Sequence, residues 1–257
     1  MLGKNGWEKF GFDPEIFKWS KAAYYAGCEV LANKAMQDRW LECEGTWFVG
    51  VDVLPSNETG KIGGIPLRGD VVKSLSHIST KPLHRAQLSV IFEGYPKPRK
   101  GESPAAFKYR LERDAAHVDG LLPIGQARRR MLKEAHAYIL GLPLNVTSMG
   151  ASPLVVWEGS HIIMAESFQK ELDGIDPAIF HKIDLTDTYH AARRHIFQTC
   201  KRVEVHAGPG ESFVIHRLAL HGIAPWVEKV AGPKEGRMVA YLRPELKNIS
   251  LWPSLQH

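Results

Sequence analysis

The sequence predicts a mainly β protein with flanking helices, built on a double-stranded β-helix core of the jelly-roll, cupin-like type. Short segments rich in β-branched and aromatic residues are separated by turns that contain Gly and Pro, a pattern typical of sandwiches and barrels. Strands and helices do not alternate in the β-α-β order of a parallel sheet. We expect one domain over residues 1–257, with a helical flank to about residue 45 and a core over about 46–245.

The longest helical pattern lies near the N-terminus and extends from Asp13 to Trp40. Asp13 is a suitable N-cap, Pro14 is tolerated at the first helical position, and apolar residues recur at intervals of three and four. This helix is expected to flank a sheet. We also expect a short helix within residues 65–79 and a mainly helical insertion over residues 165–200.

Seven segments have the composition and length of strands. They are residues 46–54, 87–92, 137–145, 154–157, 203–205, 212–215 and 238–242. The run over residues 126–140 is ambiguous because its first half has helical periodicity, and we predict a helical turn over 128–134 followed by a strand. Residues 248–257 are predicted to form a loosely packed tail, in which Leu251 and Trp252 are the residues able to dock.

The composition is that of an ordinary globular protein, with a formal charge of +5. Apart from the run Arg128-Arg129-Arg130 the basic residues are scattered, so no nucleic-acid partner is expected. That run is either a solvated surface stretch or a binding site for an anionic substrate. No apolar stretch is long enough to cross a bilayer, the N-terminus lacks the apolar core of a signal peptide, and the three Cys fit reduced thiols. We expect a cytoplasmic protein with no membrane partner.

The chemistry is organised around His117 and Asp119, which one residue separates. In an extended chain alternate side chains share a face, so the imidazole and the carboxylate project together, about 6 to 7 Å apart along the strand. A cation fits between them. Such a pair is common by chance, and its specificity comes from His221, Arg237 and Arg243 farther along the chain.

Together these residues resemble the phytanoyl-CoA dioxygenase-like branch of the Fe(II)/2-oxoglutarate-dependent oxygenases. Two His and one carboxylate form a facial triad that leaves positions open on Fe(II). The resemblance covers about residues 84–243 and includes the strand and turn from Ser152 to His161. It implies a non-haem dioxygenase that uses Fe(II), 2-oxoglutarate and O2 to hydroxylate a small organic acid or related metabolite, with release of succinate and CO2.

The resemblance also implies a role for individual residues. These are His117, Asp119 and His221 for the metal; Arg237, Arg243, Gln87 and Ser89 for the co-substrate; and Trp157, Tyr241 and His216 for the substrate. His216 and His221 have an odd spacing, which would place them on opposite faces of a continuous strand, so at most one of them faces the metal. The resemblance favours His221, which lies at a strand end before a Gly turn, where the family's distal His lies. Arg237 and Arg243 share a face of the strand. Arg237 is preferred as the residue that binds the far carboxylate of 2-oxoglutarate, because the family's arginine lies at the start of this strand.

Two other functions remain open. A cupin-like metalloprotein of another class would use the same ligands for Zn or Mn, as a hydrolase, an isomerase or a small-molecule binding protein, because a fold does not fix a reaction. A nucleic-acid or protein-binding module would not depend on His117 at all.

Overall fold

The computed structural model describes residues 3–256, so Met1, Leu2 and His257 of the expected domain lie outside the described residues. The strands are β1 (Trp7–Phe10), β2 (Leu41–Glu42), β3 (Trp47–Gly50), β4 (Gln87–Ile91), β5 (Leu121–Ile124), β6 (Arg129–Leu132), β7 (Tyr138–Pro143), β8 (Leu154–Trp157), β9 (Arg202–Val205), β10 (Ser212–His216), β11 (His221–Ile223) and β12 (Arg237–Leu242). Each predicted strand overlaps one of these.

The helices lie mainly on one side of the sheets. They are α1 (Pro14–Ala32), α2 (Lys34–Trp40), α3 (Asp70–Leu75), α4 (Pro104–Glu112), α5 (Ser160–Glu171) and α6 (Thr186–Thr199), with 3₁₀ turns at Pro177–Lys182 and Ile249–Leu251. No helix within residues 3–256 combines the length and the apolar character needed to cross a membrane.

Two antiparallel sheets enclose an apolar core. The larger has the strand order β1-β10-β7-β12-β4-β3-β2 and the smaller β11-β8-β9, while β5 and β6 form a separate hairpin. Strand alternation divides the buried residues: on β8, Leu154 and Val156 join the cluster between the sheets, whereas Val155 and Trp157 join the cluster beneath the helices. The predicted class, mainly β with flanking helices, is confirmed.

The N-terminal helix begins as predicted but ends earlier. The Asp13 side chain caps α1 by accepting hydrogen bonds from two backbone N–H groups of the first turn. At Asn33 the backbone is extended, with φ −80° and ψ 114°, and the Asn33 side chain caps α2. The single helix expected to Trp40 is therefore two helices. Residues 7–10 of the expected helical flank form β1, which pairs with β10.

The helical turn predicted over residues 128–134 is wrong. Strands β5 and β6 form an antiparallel hairpin, whose turn contains Gly125 at φ 67° and Arg128 at φ 51°. Leu121 and Leu132 pair directly across it and are both buried. Packing of this apolar pair against the core overrides the helical propensity of the Arg- and Leu-rich run.

The C-terminal segment is docked, so the predicted loose tail is also wrong. Trp252 is fully buried and stacks on Phe168 of α5, with ring centroids 5.1 Å apart. The fully buried guanidinium of Arg217 donates hydrogen bonds to four backbone carbonyls between Leu251 and Gln256, at 2.6 to 3.0 Å. A buried cation needs such acceptors, and here they fix the end of the chain.

Candidate metal centre

The three side chains assigned to the metal converge on one point. Each offers one ligand atom, and the three atoms lie within 4.8 Å of one another, the only such group of His, Cys, Asp or Glu within residues 3–256. Asp119 Oδ1 is 3.0 Å from His117 Nε2 and 3.8 Å from His221 Nε2. Ligand atoms about 2.1 Å from one ion and at right angles lie about 3 Å apart. The spacing therefore fits adjacent ligands of a single cation.

Backbone hydrogen bonds set the tautomer of both histidines. His117 Nδ1 lies 3.0 Å from the carbonyl oxygen of Ala115, and His221 Nδ1 lies 2.9 Å from that of Ala219. A carbonyl oxygen can only accept, so each Nδ1 carries the proton and donates it. Each Nε2 then presents a lone pair beside Asp119, as in histidines that are oriented for a metal.

Asp119 is held by Arg243, which follows β12. Arg243 Nη1 donates to Asp119 Oδ2 at 3.0 Å, and Nη2 donates to Gln87 Oε1. Burial alone raises the pKa of Asp119, but the charge of Arg243 outweighs burial and holds this pKa well below its usual range. Asp119 is therefore ionised, and its Oδ1 is left facing the histidines.

The two histidines differ in their exposure. The His221 side chain is 7% exposed and that of His117 is 45% exposed, so His117 borders the solvent. Burial lowers the pKa of His221 to about 4, against the opposing charge of Asp119. His221 is therefore neutral near pH 7, which is the protonation state that a metal ligand requires.

Three contacts hold the irregular segment that carries His117. The backbones of His117 and His221 exchange two hydrogen bonds, of 2.8 and 3.1 Å. Arg202 of β9 clamps Asp114 through two hydrogen bonds of 2.8 Å. Tyr109 of α4 donates its hydroxyl to the carbonyl of the residue before His117, at 2.7 Å. These tethers come from three different elements, so the segment is fixed by the assembled fold.

Two of the three ligands, Asp119 and His221, are each followed by a glycine that no residue with a side chain could replace without a clash. Gly120 follows Asp119 at φ 82°, and a Cβ there would collide with the carbonyl oxygen of Glu134. Gly222 follows His221, and a Cβ there would collide with a backbone carbonyl of the segment that leads to the triad. Both positions therefore require the absence of a side chain.

A cavity of about 270 Å³ opens beside the triad. Its walls are mostly apolar and are formed by Trp47, Val49, Val51, Leu122, Ile139, Leu154 and Ile223. Four residues predicted from the sequence also line it, namely Gln87, Ser89, Tyr241 and Arg243. Metal positions left open by three protein ligands would face this space.

Sequence reasoning missed Trp47, Tyr95 and Glu134, which also line the cavity. Glu134 is brought beside the triad by the β5–β6 hairpin, the segment for which the sequence indicated a helical turn. Trp47 donates its indole N–H to Ser89 Oγ at 3.2 Å. The pairing of β3 with β4 creates this contact, and no local pattern in the sequence predicts it.

Arg237 lies at the far end of β12 from the triad. It lines a second cavity, of about 220 Å³, and not the metal cavity. Its Nη1 is buried and has no hydrogen-bond partner within residues 3–256. Burial raises the pKa of Tyr241, while the charge of the nearby Arg237 acts in the opposite direction. Since Tyr241 also lines the metal cavity, its side chain lies between that cavity and Arg237.

Two of the predicted substrate residues, Trp157 and His216, do not line the metal cavity. Trp157 faces the helices and packs against Phe197 of α6, with ring centroids 5.3 Å apart. His216 is buried against His161, at 5.0 Å between ring centroids. A turn separates β10 from β11, so His216 and His221 belong to different sheets. The continuous strand assumed for these two histidines does not exist.

No protein-family model matches this chain, and neither does any curated protein sequence. Solved structures do match. The non-heme alpha ketoglutarate dependent carbocyclase SnoK from nogalamycin biosynthesis aligns with a TM-score of 0.53 and 13% identity over 95% of this chain and 81% of its own. EctD from S. alaskensis with bound Fe aligns with a TM-score of 0.50 and 14% identity over 95% of this chain and 74% of its own.

This chain has the double-stranded β-helix fold. At such low identity the likeness is one of fold, and one fold supports several reactions. The activity of this chain therefore depends on the residues of its own site.

Proposed function

We propose that this protein is a non-haem Fe(II)- and 2-oxoglutarate-dependent oxygenase of the phytanoyl-CoA dioxygenase-like type. The observation that carries the proposal is the convergence of His117, Asp119 and His221, with both Nε2 atoms and Oδ1 directed to one point. Two imidazoles and one carboxylate beside a cavity form the ligand set of non-haem Fe(II) oxygenases. SnoK is described as alpha ketoglutarate dependent and EctD as carrying Fe, which supports the same class.

The residues present also fit 2-oxoglutarate. Its far carboxylate needs a guanidinium, and Arg237 has a buried Nη1 without a partner, beside the hydroxyl of Tyr241. Arg243 is already engaged by Asp119 and Gln87. We therefore assign the far carboxylate to Arg237 and the orientation of Asp119 to Arg243.

Bound at this centre, Fe(II), 2-oxoglutarate and O2 would supply the oxidising chemistry, with succinate and CO2 as products. The chain's own part is to bind and to orient. Arg243 keeps Asp119 ionised and turned toward the ion, and the backbone carbonyls of Ala115 and Ala219 keep both imidazoles in the binding tautomer. The apolar walls offer water few hydrogen-bond partners within the cavity.

The charges of the residues that line the metal cavity restrict the class of substrate that can react there. The only guanidinium among its lining residues is that of Arg243, which is engaged by Asp119 and Gln87, and the lining residue Glu134 adds a negative charge. The part of the substrate that reacts is therefore apolar. If the substrate is a small organic acid, its carboxylate lies outside this cavity, toward the solvent at His117.

The test is anaerobic titration of Fe(II), followed by assay of succinate formation from 2-oxoglutarate. We expect His221→Ala to abolish both, whereas His195→Ala, at an exposed site on α6, behaves as wild type. We expect Arg237→Gln to keep the iron and to weaken 2-oxoglutarate binding by about 10- to 100-fold. A protein that retains Zn or Mn and binds no 2-oxoglutarate would instead support the hydrolase or isomerase alternative.

A further inference from the structure

Outside the metal cavity, three arginines lie on aromatic rings of α4 and α6. Arg193 lies over the rings of Tyr109 and Tyr189, 4.7 and 5.1 Å from their centroids. Arg130 of β6 lies over Tyr189 at 5.9 Å, and Arg113 lies 4.8 Å over a neighbouring phenyl ring of α6. We refer to Arg113, Arg130 and Arg193 as the arginine cluster.

The charges of the three guanidinium groups all act on the hydroxyl of Tyr109. Burial raises the pKa of the Tyr109 hydroxyl, and the charges of Arg193, Arg130 and Arg113 each act in the opposite direction. The cluster therefore surrounds Tyr109 from the hairpin, from α6 and from the end of α4. Stacking on rings restricts the motion of each guanidinium, which keeps the three groups oriented.

No carboxylate within residues 3–256 forms an ion pair with the cluster. The arginines that do form ion pairs there are Arg68, Arg110, Arg129, Arg202 and Arg243. Burial lowers the pKa of Arg130, and the charges of Arg193 and Arg128 lower it further. Burial and the nearby charges of Arg193 and Arg130 also lower the pKa of His190. The cations therefore repel one another, and no ion pair within the described residues offsets this repulsion, which costs free energy in the unliganded protein.

We propose that the arginine cluster binds a phosphate group. Planar guanidinium groups match the oxygens of phosphate bidentately, and three of them held in place lose little conformational entropy on binding. Arg130 also donates to the carbonyl of Leu121 at 3.3 Å, and Tyr109 donates to the carbonyl of the residue before His117. A phosphate bound here contacts the segments that position the metal ligands, yet the site does not depend on the metal chemistry.

The test is calorimetric titration of the full chain with pyrophosphate at low ionic strength. We expect Arg193→Gln and Arg130→Gln each to weaken binding by about tenfold or more. The matched control is Arg194→Gln, which removes the same charge from an exposed position on the same helix and should bind as wild type. Equal loss in all three variants, or wild-type affinity in Arg193→Gln, would overturn the proposal.

Two further measurements complete the test. Circular dichroism shows whether each variant is folded, and if Arg193→Gln is not, the exposed Arg113 is replaced by Gln in its stead, with the same expected loss. Comparison of inorganic phosphate with octyl phosphate identifies the source of the ligand. Tighter binding of octyl phosphate shows that the phosphate is carried on a larger molecule, and equal binding shows that the free anion is the ligand.

Discussion

Replacement of Gly120 by Ala is expected to damage both stability and metal binding. Gly120 has φ 82°, and a Cβ there would collide with the carbonyl oxygen of Glu134. The carbonyl oxygen of Gly120 in turn accepts a hydrogen bond from the backbone N–H of Lys133, the residue before Glu134, at 2.8 Å. The hairpin end therefore cannot move away without breaking that bond, and Asp119, the preceding residue, must shift instead.

The chain offers a matched control in Gly125, in the turn of the same hairpin. It has φ 67°, and a Cβ there would meet no atom within 4 Å. Left-handed backbone costs a residue with a side chain about 1 to 2 kcal/mol, and Gly125→Ala should lose only that. Gly120→Ala adds overpacking, which costs about 1 to 3 kcal/mol, so its free energy of unfolding should fall by about 2 to 5 kcal/mol.

Urea denaturation measures the loss of stability, and titration with Co(II), a spectroscopic substitute for Fe(II), measures the site. We expect Co(II) affinity to fall by about 10- to 100-fold in Gly120→Ala, as when a ligand's supporting contacts are removed, and to stay unchanged in Gly125→Ala. The reasoning would be refuted if both variants lost the same stability, or if Gly120→Ala bound Co(II) as wild type does.

Three further changes test the remaining contacts. Trp252→Ala should lower the free energy of unfolding by about 3 to 5 kcal/mol in urea, because the ring is fully buried, while the same change at the exposed Leu255 should have little effect. Arg202→Met leaves the buried carboxylate of Asp114 without its clamp; since Arg202 is 40% exposed, we expect a loss of about 1 to 2 kcal/mol together with weaker Co(II) binding. Burial lowers the pKa of His161 below the unfolded value of 6.5, so stability is fully present above pH 6.5 and is lost as the pH falls below it. Thermal unfolding measured across this pH range should show a shallower decline of the melting temperature in His161→Gln than in the wild type. Parallel curves for the two proteins would contradict this role of His161.

The parts of the site that local sequence could predict are those set by alternation and spacing. His117 and Asp119 lie on one side of the chain because one residue separates them, and Asp13 begins α1 because a carboxylate caps a helix. On β8 the same rule correctly separates Leu154 from Trp157. It does not say which of the two faces borders the metal cavity, and Trp157 lies on the face that does not.

What local sequence could not predict depends on pairing between distant strands. The even spacing of Arg237 and Arg243 predicts that both lie on one side of an extended chain, but the register of β12 against β4 decides which end reaches the triad. Tyr241 pairs with Gln87 at that end, whereas Arg237 pairs with Ile91 at the other. The role of Arg243 as the partner of Asp119 follows from this register, and spacing alone could not reveal it.

The same dependence explains why the site can be rigid although its first two ligands lie on irregular backbone. Outside regular strands, an isolated segment with left-handed residues at Asp114 and Ala115 would sample many conformations. Here the Arg202 clamp, the Tyr109 hydroxyl and the bridge to His221 each fix it from a different element. The ordering entropy of the segment is thus lost when the protein folds and not when the cation binds, which is the condition under which three ligands give a tight and specific site.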